Sequence, residues 1–272
     1  MGRIRIAEYE VRSTQAGNQP AAPCSVAVLA DLHDGVYGSD TETLLQELER
    51  IRPALVLSAG DLVLDGHGRF KAGEALKLMK GAAALCPVYA ACGNHETRSR
   101  THPATAERYA EYVRQLDEAG VIRLENAAAY PVIGGLRLGI FGLELERYYF
   151  HPGGLRRPTE KLLGAETITQ RLGPCPDDCF TILLAHHPLY FRAYAQWGAD
   201  LTLAGHLHGG IVRLPKLGGV ISPDPALFPH YDCGRYRIGT RQMIVSAGLG
   251  THTVPVRVNN PAELVVLTFT GR

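Results

Sequence analysis

The chain has 272 residues, 46% of them hydrophobic, which is enough to bury a sizeable core. Its 28 basic and 27 acidic side chains nearly balance, which excludes a broad electrostatic surface for duplex DNA or for an anionic membrane. No apolar run reaches the roughly 20 residues of a membrane helix, and the N-terminal segment lacks the apolar stretch of a signal peptide.

These properties predict a soluble, cytoplasmic protein that folds as a single domain over residues 1–272. They leave open a local basic patch, peripheral contact with a membrane and the oligomeric state. The six cysteines are scattered through a chain too large to depend on disulfide bonds, so most are expected to be reduced. Cys175 and Cys179 bracket Pro-Asp-Asp, and without a second cysteine pair nearby we favour a surface turn over a zinc site or a strained bridge.

The first half of the chain alternates strands with helices. Ser39 stands three residues before Glu42, a capping box that predicts the start of a helix. The order of elements implies parallel strands joined by right-handed crossovers. The predicted strands are Ile4–Val11 (an edge strand), Ser25–Ala30, Ala54–Ser58 and Val88–Cys92, and the predicted helices are 40–52, Phe70–Met79 and Pro103–Ala119.

From Ala128 onward the pattern changes to short strands with one helix, Pro158–Leu172, among them. We expect these strands to form a second sheet that packs face to face on the first, with helices on the outer faces. Neither a repeat nor a linker suggests a domain boundary. The predicted strands are Tyr130–Ile133, Leu136–Leu143, Thr181–Ala185, Leu201–Ala204, Met243–Ser246 and Leu264–Phe269.

Side chains of the kinds that bind transition metals stand directly after several of these strands. Asp31 and His33 are two residues apart, as are His206 and His208. On a continuing strand, the two side chains of each pair would point the same way. A single histidine is more often a structural residue than a ligand, but five such motifs at strand ends together predict a metal centre. The candidate ligands are Asp31, His33, Asp61, Asn94, His186, His206 and His208.

This mixture of imidazole, carboxylate and amide suits Mn²⁺, Fe, Zn²⁺ or Co²⁺ and argues against Ca²⁺ or a thiolate-rich zinc site. Two such ions about 3.5–4 Å apart would hold a hydroxide and neutralise a phosphoryl group attacked in line, so hydrolysis of a phosphoester or phosphoanhydride is expected. Asp61 has two oxygens that can bridge two cations. His95, outside the ligand set, is free to protonate the leaving oxygen, or else it only donates a hydrogen bond beside the site.

Read together, the motifs are similar to those of one known family. The segments Asp31-Leu32-His33, Gly60-Asp61, Gly93-Asn94-His95-Glu96, His186-His187-Pro188 and Gly205-His206-Leu207-His208 resemble the signature of the calcineurin-like metallophosphoesterases. Ala204–Pro215, and Ser246–Thr251 followed by Pro255–Arg257, are similar to a bacterial phosphodiesterase branch that is often membrane-attached. The resemblance implies an α/β fold, a four-layer α/β/β/α sandwich of two mixed sheets flanked by helices.

The resemblance also implies a role for each candidate ligand. Asp31, His33 and His208 would hold the first metal ion. Asn94, His186 and His206 would hold the second, and Asp61 would bridge the two. His186 is preferred to His187 because the family's ligand stands two residues before the proline. Family members work with Mn²⁺, Fe, Zn²⁺ or related ions.

The chain departs from the protein serine/threonine phosphatases of this family. Those enzymes carry one arginine after Gly-Asp and another before Gly-Asn-His, whereas Gly60–Gly66 and Ala91–Asn94 contain none. A dianionic monoester would lack its bidentate partners, so a phosphodiester or pyrophosphate is the predicted substrate. Arg98, Arg100 and Arg213 either supply one positive contact or are solvated.

The segment 209–231 is rich in glycine and proline yet carries several apolar residues next to the last ligand. It either contacts an acylated substrate or folds back onto the sandwich. We therefore expect a small phosphodiester, nucleotide or phospholipid-type substrate. A DNA or RNA nuclease is the alternative, disfavoured by the balanced charge. A non-catalytic scaffold is disfavoured because every ligand position is filled.

Overall fold

The computed structural model describes residues 4–13, 17–66, 68–151, 158–214, 217–221, 228–251 and 256–271. The strands are β1 (Arg5–Arg12), β2 (Cys24–Leu29), β3 (Leu55–Ser58), β4 (Leu64–Gly66), β5 (Arg69–Lys71), β6 (Val88–Ala90), β7 (Ile122–Arg123), β8 (Ala127–Ala129), β9 (Val132–Ile133), β10 (Leu136–Leu143), β11 (Phe180–Ala185), β12 (Leu201–Ala204), β13 (Val212–Leu214), β14 (Gly218–Ile221), β15 (Gly234–Ile238), β16 (Arg241–Val245) and β17 (Glu263–Thr270). The helices are α1 (Thr41–Ile51), α2 (Gly73–Leu85), α3 (Asn94–Thr101), α4 (Ala106–Glu118), α5 (Arg147–Phe150), α6 (Ala165–Leu172) and α7 (Phe191–Trp197), with 3-10 turns at Glu160–Leu162 and Pro188–Tyr190.

Two mixed sheets form the centre of the molecule. The first has the order β1-β17-β2-β3-β6-β7, in which β2, β3, β6 and β7 run parallel and β17 is antiparallel to β2. The second has the order β15-β16-β12-β11-β10-β8, with β10, β11, β12 and β16 parallel. Parallel neighbours need a crossover, and α1, α2 and α7 are helices that supply one.

Side chains that alternate along the strands divide the apolar residues into three layers. In β2, Ala27 and Leu29 face α1, α2 and α4, while Val26 and Val28 face the second sheet. In β11, Leu184 points between the sheets, whereas its neighbour Leu183 packs among the residues of α6 and α7. The predicted four-layer α/β/β/α sandwich is therefore confirmed.

Several elements differ from the predictions. Leu264–Phe269 was expected in the second sheet, but β17 lies in the first, between β1 and β2. Because β17 is apolar on both faces, it suits the interior of either sheet, and only long-range pairing decides between them. Helix α1 is capped by Asp40, whose Oδ1 accepts from the Thr43 amide at 2.8 Å, rather than by Ser39.

Two predicted helices begin later than expected. Phe70 belongs to β5, and α2 starts at Gly73 because Asp34 caps it from a distant loop, accepting the amides of Glu74 and Ala75. The predicted helix Pro158–Leu172 is regular only from Ala165, after a 3-10 turn. Helices α3 and α7, and strands β13 to β15, were not predicted. No helix of the described residues is long and apolar enough to cross a bilayer.

Candidate metal centre

Six of the seven candidate ligands come together where the carboxyl ends of strands from both sheets meet, and Asn94 stands at the start of α3, next to His95. The seven residues follow β2 (Asp31 and His33), β3 (Asp61), β6 (Asn94), β11 (His186) and β12 (His206 and His208). All are buried except Asn94, which is half-buried. An ionisable cluster removed from water in this way must be compensated by opposite charge and hydrogen bonds.

The backbone at five of these residues is left-handed, with φ between 47° and 73° at Asp31, His33, Asp61, His206 and His208. Non-glycine residues rarely adopt this conformation, and strain of this kind concentrates at functional sites. The spacing of Asp31 and His33, and of His206 and His208, predicts a continuing strand. The left-handed backbone shows that each pair lies in a turn instead. They converge because each side chain leaves a tight turn that points it towards the other sheet.

The glycines of the motifs allow these turns to approach one another. A side chain on Gly60 would collide with the backbone of Gly93, and one on Gly93 would collide with the Asp61 carboxylate. A side chain on Gly205 would likewise meet the Asp31 carboxylate. Gly60 therefore leaves room for the neighbouring turn.

Asp31, His33 and His208 form the first ligand group. Their donor atoms, with one atom from each side chain, all lie within 4.8 Å of one another. The Nε2 atoms of His33 and His208 are 2.9 Å apart, and Nε2 of His208 is 3.6 Å from Oδ1 of Asp31. Two nitrogens bound at right angles to one ion, each at about 2.1 Å, would be separated by about 3 Å. Oδ2 of Asp31 is buried and has no hydrogen-bond partner among the described residues.

The second ligand group is predicted to be Asn94, His186 and His206, and the donor atoms of His186 and His206 lie within 4.8 Å of each other and of Asp61. Nδ1 of His186 donates to the backbone oxygen of Ala59 at 2.9 Å, so Nε2 is the nitrogen that faces the site and that a metal ion would bind. This Nε2 is 3.0 Å from Oδ2 of Asp61. Oδ1 of Asn94 is buried without a hydrogen-bond partner in the described part of the chain.

Asp61 lies between the two groups. It clusters with His186 and His206 on one side and with His33 and His95 on the other, within the same 4.8 Å limit. Its Oδ1 accepts the backbone amide of His95 at 2.8 Å. The donor set and the unpartnered oxygens fit divalent transition metals on both sides of this carboxylate.

The electrostatics of the metal-free cluster reflect this crowding. Burial raises the pKa of Asp31 to about 6, although His186 acts against the rise. Burial also acts to raise the pKa of Asp61, but His186 and His95 outweigh it and hold that pKa well below its usual range. Burial lowers the pKa of His186, and Asp61 more than offsets it, raising the pKa to about 10. The two carboxylates thus need nearby positive charge.

Glu96 joins the turns that carry Asp61 and Asn94. One carboxylate oxygen accepts the amides of Leu62 (2.8 Å) and Val63 (3.1 Å), and the other accepts those of Asp61 and Gly93, both at 2.9 Å. All four lone-pair positions are therefore occupied by backbone donors from two motifs. The sequence analysis included Glu96 in a motif but assigned it no role. The feature that could have indicated one is an acidic residue in the first turn of a helix that follows a strand.

His95 is held in one tautomer by its neighbours. Its Nδ1 accepts the backbone amide of Asp65 at 3.0 Å, and Nη2 of Arg98 lies 3.3 Å away. Both neighbours are hydrogen-bond donors, so Nδ1 carries no hydrogen and the ring proton lies on Nε2. His95 can therefore donate a hydrogen bond from Nε2, and this tautomer favours that role over proton donation, because a neutral imidazole is a very weak acid.

The three arginines considered as substrate contacts are all engaged in ion pairs. Arg98 pairs with Asp65 at 2.9 Å, Arg213 pairs with Asp232 at 2.9 Å, and Arg100 pairs with two glutamates. They are therefore not solvated without a partner. Each pair offsets part of the positive charge that a dianion would need.

The segment 209–231 is described in part, with Pro215, Leu227 and the side chain of Ile221 outside the described residues. Its described portion includes the hairpin β13–β14, which pairs with no other sheet. Leu214, Leu217 and Phe228 are exposed and line a cavity of about 610 Å³. At these three residues the segment does not fold back onto the sandwich.

Comparisons with known proteins agree with this geometry. A family profile described as calcineurin-like phosphoesterase matches residues 24–210. The metallophosphoesterase YkuE of Bacillus subtilis is 33% identical over 246 residues, which cover 88% of this chain and 76% of YkuE. Phosphodiesterase YaeI of Escherichia coli is 26% identical over 251 residues, which cover 91% and 82%. The crystal structure of phosphopantetheinyl hydrolase PptH from Mycobacterium tuberculosis matches with a TM-score of 0.48 and 16% identity over 85% of this chain and 89% of that one.

The fold and the site together define a metal-dependent phosphoesterase, as predicted. The residues that suggested this class lie in the segment that the family profile matches. The chain belongs to the calcineurin-like phosphoesterase family, whose members use divalent metal ions.

Proposed function

We propose that the protein is a dinuclear phosphohydrolase that cleaves a phosphodiester or a pyrophosphate. The observation that carries this proposal is the position of Asp61, which clusters with histidines of both ligand groups. A carboxylate in that position has one oxygen for each of two ions. The name of the relative YaeI, a phosphodiesterase, supports the same reaction class.

The first ligand group would hold one ion and the second ligand group the other, with Asp61 shared between them. Divalent Mn, Fe, Zn or Co ions, when bound, neutralise phosphoryl oxygens and make a water molecule more acidic. The unpartnered oxygens of Asp31 and Asn94 support this assignment, because a buried polar atom without a partner is costly unless a ligand satisfies it.

His95 would act on the leaving group. Its Nε2 carries the ring proton, because donors from Asp65 and Arg98 face Nδ1. The amide of His95 also donates to Oδ1 of Asp61, which fixes the residue beside the shared carboxylate. From this position the Nε2–H group can donate a hydrogen bond that stabilises the charge on an oxygen that departs from phosphorus.

The charges around the site favour a substrate with one negative charge at the reacting phosphorus. The arginines that clamp a monoester are missing from the sequence, and Arg98, Arg100 and Arg213 are paired with carboxylates. The exposed side chains of Leu214, Leu217 and Phe228 favour a substrate that carries an apolar part, as a lipid-linked phosphodiester or pyrophosphate does. A nuclease finds no comparable support, since the net charge is only +1.

Hydrolysis of two model esters tests this function. Mn²⁺-loaded protein should hydrolyse bis-p-nitrophenyl phosphate with a higher kcat/KM than the monoester p-nitrophenyl phosphate. Asp61→Ala should abolish the diesterase activity. Asp200→Ala is the matched control, because Asp200 is another carboxylate that accepts a backbone amide, that of Thr181, before β12 rather than after it. A wild-type rate in Asp61→Ala, or a preference for the monoester, would contradict the proposal.

A further inference from the structure

The loop 246–250 lies behind the first ligand group and is part of a motif to which the proposed function gives no role. Its Leu249 amide donates to the backbone oxygen of Ala30 at 3.1 Å, and the Gly250 amide donates to that of Asp31 at 2.7 Å. Gly248 has φ 75°, and a side chain there would meet Cβ of Asp31 at 2.7 Å. The loop therefore supports Asp31 in its left-handed conformation.

Arg257 is the residue that holds this loop in place. It is buried, and Nη1 of its guanidinium donates to the backbone oxygens of Gly248 (3.0 Å) and Pro261 (3.2 Å). Nη2 donates to the backbone oxygen of Ala247 at 2.6 Å and lies 3.2 Å from Nδ1 of His208. Three of the four N–H bonds on these two nitrogens thus donate to backbone oxygens in two segments of the chain, and the fourth faces the ring of His208.

The contacts of Arg257 reach residues of the first ligand group only. Its Nη2 lies against Nδ1 of His208, whereas Nε2 of His208 faces the other ligands, and through the loop 246–250 Arg257 supports Asp31. His186 is held instead by Ala59, and Asp61 by Glu96. A change at Arg257 should therefore affect the first ligand group and leave the second in place.

A lysine at this position would not replace the arginine. Its single ammonium carries the same charge but cannot span acceptors on both sides of a planar guanidinium. Arg257→Lys therefore removes the bracing between segments while it keeps a positive charge next to Asp31.

We propose that Arg257 is a positioning residue for the first metal ion, because it holds the loop 246–250, which keeps Asp31 in the arrangement that binds the ion. The inference rests on the proposed two-metal function. Partners that orient metal ligands typically change affinity by about 10–100-fold when they are mutated. This role accounts for the occurrence of Arg257 in the same sequence motif as Ser246–Thr251. Pro255, which also belongs to that motif, lies outside the described residues.

Mn²⁺ binding to Arg257→Lys, measured by calorimetry and by metal content after dialysis, tests this role. We expect one of the two dissociation constants to rise about 10–100-fold while the other changes less than about twofold. The Mn²⁺ concentration for half-maximal activity should rise similarly, with kcat at saturating Mn²⁺ largely retained. Equal weakening of both sites, or no weakening of either, would overturn the proposal.

Arg171→Lys is the matched control, because Arg171 also donates to a backbone oxygen, that of Glu144, but away from the ligands. It should leave both dissociation constants unchanged, and a change equal to that of Arg257→Lys would overturn the proposal. If Arg257→Lys fails to fold, as judged by circular dichroism, Tyr37→Phe takes its place. The Tyr37 hydroxyl bonds the backbone N and O of Arg257, each at 3.2 Å, and its loss should weaken the same site alone.

The wild-type protein separates the two hypotheses. A wild type that binds a single Mn²⁺ overturns the proposed dinuclear function. A wild type that binds two ions, together with an Arg257→Lys variant of unchanged affinities, overturns only the role of Arg257.

Discussion

The two sheets bring different chemistry to the candidate metal centre. The first sheet supplies the oxygen ligands Asp31, Asp61 and Asn94, whereas the second supplies only imidazoles, from His186, His206 and His208. The first sheet thus carries the negative charge and the second supplies ligands that are neutral when they bind a metal. Neither sheet has a complete ligand group, so the centre exists only where the two sheets pack together.

This difference teaches that the interface between the sheets is part of the site. The backbone amide of His206, from the second sheet, donates to Oδ1 of Asp31 in the first at 2.9 Å. In the reverse direction, Nδ1 of His186 donates to the backbone oxygen of Ala59 in the first sheet. Each sheet therefore orients a ligand of the other, and mutations on the two sides should have distinguishable effects.

The largest effect is expected from the shared carboxylate. Asp61→Ala should lower kcat for diester hydrolysis by at least about 10³-fold, since bridged ions supply several kcal/mol of transition-state stabilisation. It should also reduce metal content, because both ligand groups lose a member. Rates in Mn²⁺ and metal analysis check this, and loss of activity with both ions retained would show that Asp61 does not hold them.

A smaller effect is expected from Glu96→Gln, which changes the support of the first-sheet ligands alone. The amide nitrogen cannot accept the backbone amides that one carboxylate oxygen now accepts, and each buried donor left unpaired costs about 1–3 kcal/mol. We expect a lower free energy of unfolding and about 10–100-fold weaker Mn²⁺ binding. Chemical denaturation and calorimetry measure both quantities. Asp232→Asn is the control, because Asp232 is a carboxylate that accepts the Gly219 amide in the β13–β14 region. This variant should have a lower free energy of unfolding but bind Mn²⁺ as the wild type does.

His95→Ala should separate action on the leaving group from metal binding. Because the Nε2–H group would stabilise charge on the leaving oxygen, its loss should slow diesters with alkoxide leaving groups by about 10²-fold and nitrophenyl esters much less. Metal content should stay that of the wild type. An equal effect on both leaving groups would show that His95 does not act on the leaving oxygen, and a loss of metal would make it a ligand.

The smallest effect is a change of stability with pH in metal-free protein. The pKa of His186 is raised to about 10, so its stabilising contribution is present below about pH 6.5 and is lost as the pH rises towards 10. Asp31, with its pKa raised to about 6, is ionised at a cost to stability above that pH. Metal-free protein should therefore melt at a lower temperature at pH 9 than at pH 6.5.

Mn²⁺ should reverse this trend, because it binds a neutral His186 and ionised carboxylates. The difference in Tm between Mn²⁺-loaded and metal-free protein should widen from pH 6.5 to pH 9. His186→Gln should flatten the pH dependence of the metal-free protein. A metal-free Tm that rises over this range would contradict the assigned directions.

Much of this arrangement could be predicted from the sequence, because strands carry a local signal. Leu136–Leu143 and Leu201–Ala204 were predicted with their observed bounds, and the candidate ligands follow strands as expected. The family and the sandwich followed from those motifs and are confirmed. The order of the elements and the types of residue that follow the strands could therefore be predicted.

The remaining features depend on contacts between distant segments. The cap that Asp34 gives to α2, the placement of β17 in the first sheet and three of the four amides that Glu96 accepts all join residues far apart in sequence. The left-handed backbone at His206 and His208 is imposed by the packing of neighbouring turns, and no local residue preference indicates it. Local pattern therefore identified the ligands but not the framework that orients them.

The central claim is that Asp61 joins two metal ions, one in each ligand group. The most direct measurement is electron paramagnetic resonance of the protein titrated with Mn²⁺, with metal content determined on the same samples. The account predicts two Mn²⁺ per chain and an exchange-coupled spectrum that is lost in Asp61→Ala. One ion per chain, or two ions with uncoupled signals, would contradict it.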